Sequence, residues 1–180
     1  MVFFAITLVV SCSKDKGSIL TTIPNGDFEL WGNSQMPLNW QTNSCPLCTP
    51  PYQTYIVQKD SAAYHGIYAA KFIDNHIYAA VASNKFSVST HPVSLIAYAK
   101  CKLYGTDTVS IKIKLFKKSL GVDSGQWYNT VPINNYVRVV IPISQHSLQI
   151  DSVLITIKGG HQSGFPTNTT EFWVDNLILQ

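Results

Sequence analysis

The sequence predicts an all-β fold, a sandwich of two antiparallel sheets. Three observations carry that prediction. Residues Thr108 to Lys117 alternate apolar and polar side chains, with Val109, Ile111, Ile113 and Leu115 on one side and Ser110, Lys112, Lys114 and Phe116 on the other. That two-residue period is the pattern of a half-buried strand. Further short apolar or alternating runs follow one another with turn signals between them, which is the layout of a sandwich. The chain is rich in Tyr and Phe, only 13% of it is charged, and no stretch keeps a helical period. A length of 180 residues suggests one domain. Such a chain buries about 70% of its unfolded surface and needs no metal or disulfide merely to fold. The net charge of +3 is too small to argue for nucleic acid or an anionic surface as partner.

Taken in order, the chain opens with an apolar run from Val2 to Val10 that ends in Val9-Val10-Ser11-Cys12. The run is too short to span a bilayer and reads as the apolar region of an export signal. Its last four residues resemble a bacterial lipobox, which implies Cys12 as the acylated first residue of the mature protein. No Lys or Arg precedes the run, so a start further upstream or an ordinary cleaved signal are the alternatives. Ser13-Lys14-Asp15-Lys16 partly resembles the short signals that send such lipoproteins to the cell surface. The predicted organisation is a signal peptide over 1–12, a tether over 13–22 and one sandwich domain over 23–180.

Within that domain Asn25-Gly26 is a tight-turn dipeptide. Phe28, Leu30 and Trp31 follow it as a short strand. Further strands are predicted over Tyr55–Gln58, Tyr68–Ile73, His76–Ala82, Val93–Lys100, Thr108–Lys117 and Val137–Ile143, and around Val153, Ile155 and Ile157. There is no internal repeat and no sign of a second domain.

Three motifs carry a family resemblance. They are Asn25-Gly26-Asp27-Phe28-Glu29 with Trp31, followed by Met36-Pro37 and Asn39-Trp40; His65-Gly66-Ile67-Tyr68-Ala69-Ala70-Lys71; and Phe172-Trp173-Val174-Asp175-Asn176-Leu177. In this order they resemble the galactose-binding-like, carbohydrate-binding-type jelly rolls, and most of all the carbohydrate-metabolism modules on surface or secreted proteins of Bacteroidetes. The resemblance implies a jelly-roll β-sandwich of two antiparallel sheets and glycan binding. It also implies a structural calcium where the first strand meets the last, held by Glu29 and Asp175 with Asp27 as a third carboxylate. Calcium takes six to eight hard oxygens, so backbone carbonyls near His65-Gly66 would have to contribute. The competing reading gives Asp27 and Asp175 to turn and backbone hydrogen bonds.

If the strands around 98, 112, 138 and 156 are neighbours, Tyr98, Lys100, Lys112, Lys114, Arg138 and Lys158 share one outer face. Cationic donors beside an aromatic plate suit a sugar, whose hydroxyls take hydrogen bonds and whose C–H face stacks on a ring. The bland alternative is a solvated strand face whose lysines resist edge pairing. Trp31 and Trp40 read as core, because a buried aromatic removes about 150–250 Å² from water. Trp173 shares the two-residue parity of Asp175 and Leu177 and is read as inward too. Trp127 and Tyr128 follow Asp123-Ser124-Gly125, a loop signal, so they are read as loop aromatics able to meet a ligand. Tyr52 and Tyr55 beside Pro50-Pro51 are read the same way.

Cys45-Pro46-Leu47-Cys48 has no second pair to complete a zinc site, and Thr49-Pro50-Pro51 forbids a helix starting at the motif. A loop disulfide remains, either Cys45–Cys48 or one of these with Cys101. No nucleophile elbow or metalloprotease motif is present. The chain has two glutamates, Glu29 and Glu171, both on terminal strands rather than across a cleft. The expectation is a non-enzymatic, lipid-anchored module of the outer membrane, facing the cell surface and binding glycan. The rival is a structural or adhesion module that contacts protein partners and no sugar. In either case the lipid anchor is its membrane contact and nucleic acid is not its ligand.

Overall fold

The computed structural model describes residues 22–33, 35–49, 54–74, 79–144, 149–160 and 169–180. Cys12, Tyr52, His76 and the pair Pro50-Pro51 lie outside the described residues.

The strands are β1 (Gln41–Thr42), β2 (Val57–Asp60), β3 (Ala69–Ile73), β4 (Ala80–Ser87), β5 (Ser94–Lys102), β6 (Val109–Lys117), β7 (Leu120–Asn129), β8 (Ile133–Pro142), β9 (Ser152–Gly159) and β10 (Glu171–Leu179). They form two five-stranded sheets, sheet I in the order β1-β4-β9-β6-β7 and sheet II in the order β2-β3-β10-β5-β8. The pairings are antiparallel. This is the predicted jelly-roll β-sandwich.

The alternation read from the sequence builds the core. Val109, Ile111, Ile113 and Leu115 of β6 and Val153, Ile155 and Ile157 of β9 line the inner face of sheet I, all fully buried. Leu95, Ala97, Ala99 and Cys101 of β5, with Phe72 of β3 and Phe172 and Val174 of β10, line the inner face of sheet II. Val137, on the same side of β8 as the buried Val139 and Ile141, is 40% exposed, because β8 is the edge strand of its sheet.

Two expectations about local structure are corrected. The stretch after Asn25-Gly26 is not a strand: Phe28 sits at φ 52°, and among the described residues its pairing is a single bridge between Trp31 and Pro37. Phe28 is nonetheless fully buried and packs on the Trp40 ring with centroids 5.0 Å apart. The second correction concerns Asp123-Ser124-Gly125, which lies inside β7. The chain reverses instead at Lys118 and Ser119, both at positive φ, between the paired residues Lys117 and Leu120. That is a two-residue hairpin turn made without glycine. Gly125 marks a close approach: a Cβ there would collide with the Pro142 carbonyl oxygen and Ile141 of β8 on the other sheet. Cys45 and Cys48 form the disulfide, and Cys101 is a buried free thiol on the inner side of β5.

The Gly125 contact can be tested by stability. Gly125→Ala should lower the free energy of unfolding by about 1–3 kcal/mol through overpacking. The measurement is the urea midpoint at unchanged m-value; an unchanged midpoint would refute the close approach.

Candidate functional site

The outer face of sheet II gathers the polar and aromatic side chains that the alternation turns away from the core. Across the sheet, Tyr98 of β5 stands opposite Asp175 of β10 and Arg138 of β8. One step along, Lys100 stands opposite Trp173, which in turn stands opposite Lys71 of β3. A further step brings Glu171 opposite Lys102. The Lys71 and Lys100 ammonium groups lie 4.8 and 4.9 Å from the Trp173 ring centroid, a cation–π arrangement on both sides of the indole. Lys71 and Lys102 also ion-pair with Glu171. Burial pushes the Glu171 carboxyl up, but the two lysines outweigh it and hold the group below the usual range. Trp173 Nε1 is buried outside hydrogen-bonding geometry and faces the Asp60 carboxyl.

Segment 61–68, between β2 and β3, lies over this face. Tyr64 stacks on Tyr98 with centroids 3.7 Å apart and planes 10° from parallel. It meets Tyr136 edge-on at 5.8 Å. The Tyr136 hydroxyl donates to the Ala62 carbonyl at 2.8 Å, and the Lys100 ammonium reaches the same oxygen at 3.4 Å. Burial, with Asp175 and Asp60 nearby, pushes the Tyr136 hydroxyl well above its usual range. It is therefore a donor throughout the physiological range.

Two carboxylates hold the segment down. Asp175 Oδ2 accepts the Tyr64 and His65 N–H groups at 2.8 and 2.9 Å, while Asp175 Oδ1 accepts the Asn176 N–H at 2.7 Å. Glu29 Oε1 accepts the Ile67 and Tyr68 N–H groups at 2.7 and 3.0 Å. Gly66, at φ 74°, sits between these pairs. Any Cβ there would collide with the Glu29 carboxyl, which accounts for the His65-Gly66 motif.

The residues singled out from the sequence therefore separate. Tyr98 and Arg138 are neighbours on sheet II. Lys112 is not with them: it projects outward from β6 in sheet I, on the opposite side of the sandwich, as do Lys114 and, from β9, Lys158. The strands around 98 and 112 share a pattern but not a sheet. Trp127 is no loop aromatic; it points inward from β7, half-buried, and stacks on Phe172 at 6.2 Å. Tyr128, its neighbour, projects outward from sheet I and is 65% exposed. Tyr98 is no open platform either, because Tyr64 covers it. Tyr64, 47% exposed, presents the free ring, and the sequence reading missed it. Its one signal was a place directly before His65-Gly66. Trp173 is buried as expected, but on the outer face; the bulge between Asp175 and Ile178 changes parity, so that Leu177 points inward and Trp173 does not.

The arrangement does not suit the calcium implied by the resemblance. Glu29 and Asp175 are presented with amide N–H groups where a calcium ion needs oxygens. Asp27 is exposed at the turn, and among the described residues no three His, Cys, Asp or Glu side chains are grouped to hold a metal.

Asp175 predicts a pH signature. Burial raises its carboxyl above the usual value of 3.8; the three N–H donors oppose that shift and the nearby Glu29 adds to it. A carboxyl raised in the folded state holds its proton more tightly folded than unfolded. Its contribution to stability is thus full below its unfolded pKa and is lost as pH rises through the folded one. Asp175→Asn keeps an acceptor without the titration. From about pH 4 to pH 7 its stability should fall less steeply with pH than that of the parent, in urea unfolding. Parallel profiles would refute the assignment.

No protein-family model matches the chain, and no curated protein matches it. Solved structures do. TmCBM61 in complex with beta-1,4-galactotriose aligns with a TM-score of 0.51 at 15% identity, covering 88% of this chain and 96% of that one. A structure addressing the promiscuous specificity of carbohydrate-binding modules of the β-sandwich superfamily aligns with a TM-score of 0.52 at 11% identity, covering 88% of this chain and 63% of that one. The Stig cyclase Fisc from Fischerella sp. TAU, in complex with an indole compound, aligns with a TM-score of 0.53 at 14% identity, covering 89% and 96%. At these identities the likeness is one of fold. The chain has the β-sandwich fold of carbohydrate-binding modules, a fold that also serves cyclases.

Proposed function

We propose that this chain is a non-catalytic glycan-binding module of the cell envelope. The observation that carries the reading is the half-exposed Tyr64 ring, stacked on Tyr98 beside Arg138, on a fold shared with carbohydrate-binding modules. A sugar laid on Tyr64 would put its C–H face on the ring and offer its hydroxyls to the Arg138 guanidinium. The platform is ordered before any ligand arrives, since the Asp175 and Glu29 clasps already hold the segment that bears it. Pre-ordering lowers the entropic cost of binding. The non-catalytic assignment is supported by where the carboxylates are engaged. Glu29 and Asp175 hold backbone amides and Glu171 pairs with lysines, so none of the three stands ready as an acid or base.

A structural or adhesion role has its own support in Val131, Val137 and Val140, exposed along and beside edge strand β8. Calorimetric titration with β-1,4-galactotriose and a panel of neutral oligosaccharides separates the two. Under the glycan reading one of them binds, and Tyr64→Ala weakens it tenfold or more, about 1.4 kcal/mol, while folding is retained. Absence of binding across the panel would move the assignment to a protein partner.

The same proposal places the module at the outer membrane, facing the cell surface and attached through an acylated Cys12. Support for this comes from the sequence Val9-Val10-Ser11-Cys12 alone. In a bacterial host the parent chain should then partition with membranes and be cut by protease added to intact cells, and Cys12→Ser should be released to the soluble fraction. Equal partitioning of parent and variant would refute the anchor.

A further inference from the structure

The outward face of sheet I differs in kind from that of sheet II. Lys112 and Lys114 of β6, Lys158 of β9 and Lys85 of β4 all project from it. No Asp or Glu occupies an outward position on these strands or on β7; Asp123 of β7 is buried on the inner side, where it pairs with His91. Asp151, just before β9, accepts the Lys118 N–H and the Ser152 hydroxyl and lies close enough to Lys85 to be influenced by it. Lys85 itself lies over the Phe116 ring at 5.1 Å. None of the four lysines enters a salt bridge among the described residues.

The register sets what stands beside each ammonium. Lys112 lies between Gln126 and Thr156, and Lys158 lies beside Ser110, which is flanked on its other side by Tyr128. Neighbouring positions along a strand on one face are about 7 Å apart and neighbouring strands about 4.8 Å apart. Lys114 lies between Ser124 and Leu154, Lys85 beside Leu154, and Lys158 has Val81 on its other side. The lysines therefore form a spaced array rather than a single pocket, with hydroxyl or amide groups beside Lys112, Lys114 and Lys158. The small net charge of the chain conceals this, because it sums an acid-free face with the mixed one on sheet II.

We infer that the outer face of sheet I binds an acidic polysaccharide, one carrying carboxylate or sulfate groups among its hydroxyls. The ammonium array matches the anions, and the Ser, Thr and Gln side chains match the hydroxyls. Single-stranded nucleic acid fits less well, since it is held by successive stacking rings. The outward aromatics described here are Tyr128, on the edge strand, and Phe116, half-buried under Lys85, and they are not successive platforms along one strand. This extends the glycan-binding reading to a second face and does not depend on Tyr64.

The test is affinity electrophoresis of the full chain through gels containing polygalacturonate, chondroitin sulfate or neutral dextran, with single-stranded DNA as a soluble competitor. The expected result is retardation by at least one acidic polysaccharide, weakening with salt, and none by dextran. A Lys112→Ser, Lys114→Ser, Lys158→Ser triple variant should bind at least tenfold more weakly, while the corresponding Lys→Arg triple and Tyr64→Ala should bind like the parent. Lys112→Ser alone, a single exposed change, should show a smaller loss in the same direction. The urea midpoints of the variants check that they remain folded. Three outcomes would overturn the proposal: no retardation by either acidic polymer, undiminished binding by the Ser variants, or DNA competing as well as the acidic polysaccharide itself. Loss of neutral-sugar binding in Tyr64→Ala, with the lysine variants intact, reports on the other face.

Discussion

A carboxylate buried on a central strand must find donors, and that requirement organises one side of this protein. Asp175 is fully buried on β10, the middle strand of sheet II. A desolvated carboxyl without partners costs several kcal/mol, whichever protonation state it adopts. Besides the adjacent Asn176 N–H, its donors are two backbone N–H groups of the segment between β2 and β3, more than a hundred residues away in sequence. Glu29, from the N-terminal turn, takes the next two amides of the same segment. The Leu177 N–H returns to the Gly26 carbonyl at 2.8 Å. Through these bonds the opening turn, the middle segment and the closing strand become one unit. The position of the Tyr64 ring follows from that unit.

At this junction the two carboxylates are met by the chain's own amides. Cation and amide both neutralise a carboxylate, but they demand opposite surroundings. A calcium ion needs a shell of oxygens, whereas a carboxylate clasp needs a strand of N–H groups turned toward it. The left-handed conformation of Gly66 places two pairs of amides on two acids without a side chain in the way.

The two outer faces obey different constraints. On sheet II the lysines are engaged: they lie over the indole, pair with Glu171 or reach a backbone carbonyl. On sheet I, Lys112 and Lys114 are exposed, Lys158 is half-buried and Lys85 lies over the Phe116 ring, on strands whose inner faces supply the core. Exposed charges of this kind add little to stability, so folding does not dictate their identity. The sandwich itself is held by the inner faces, which is why the same architecture is found around sugar ligands and in cyclases. Function in such a fold is decided by the outward positions and the connecting segments.

The division between sequence and structure follows from the range of the forces involved. Alternation is local, and it correctly set which residues of β5, β6 and β9 turn inward and which of Tyr98, Lys112, Arg138 and Lys158 turn outward. The motifs at Asn25, His65 and Phe172 likewise carried the sandwich fold. Strand pairing is not local. Nothing in the pattern of β6 distinguishes a neighbour of β5 from a neighbour of β9, so Lys112 and Tyr98 could be placed on outer faces but not on the same one. Glycine was equally ambiguous, since Gly125 marks a close approach between sheets with the same letter that elsewhere marks a turn. A bulge at Asp175 reversed the parity that placed Trp173 inside. The sequence by itself determined the layers and their inner faces, because burial is written in a two-residue period. Only the tertiary structure decided which outward residues meet, because that depends on hydrogen-bonded partners far apart along the chain.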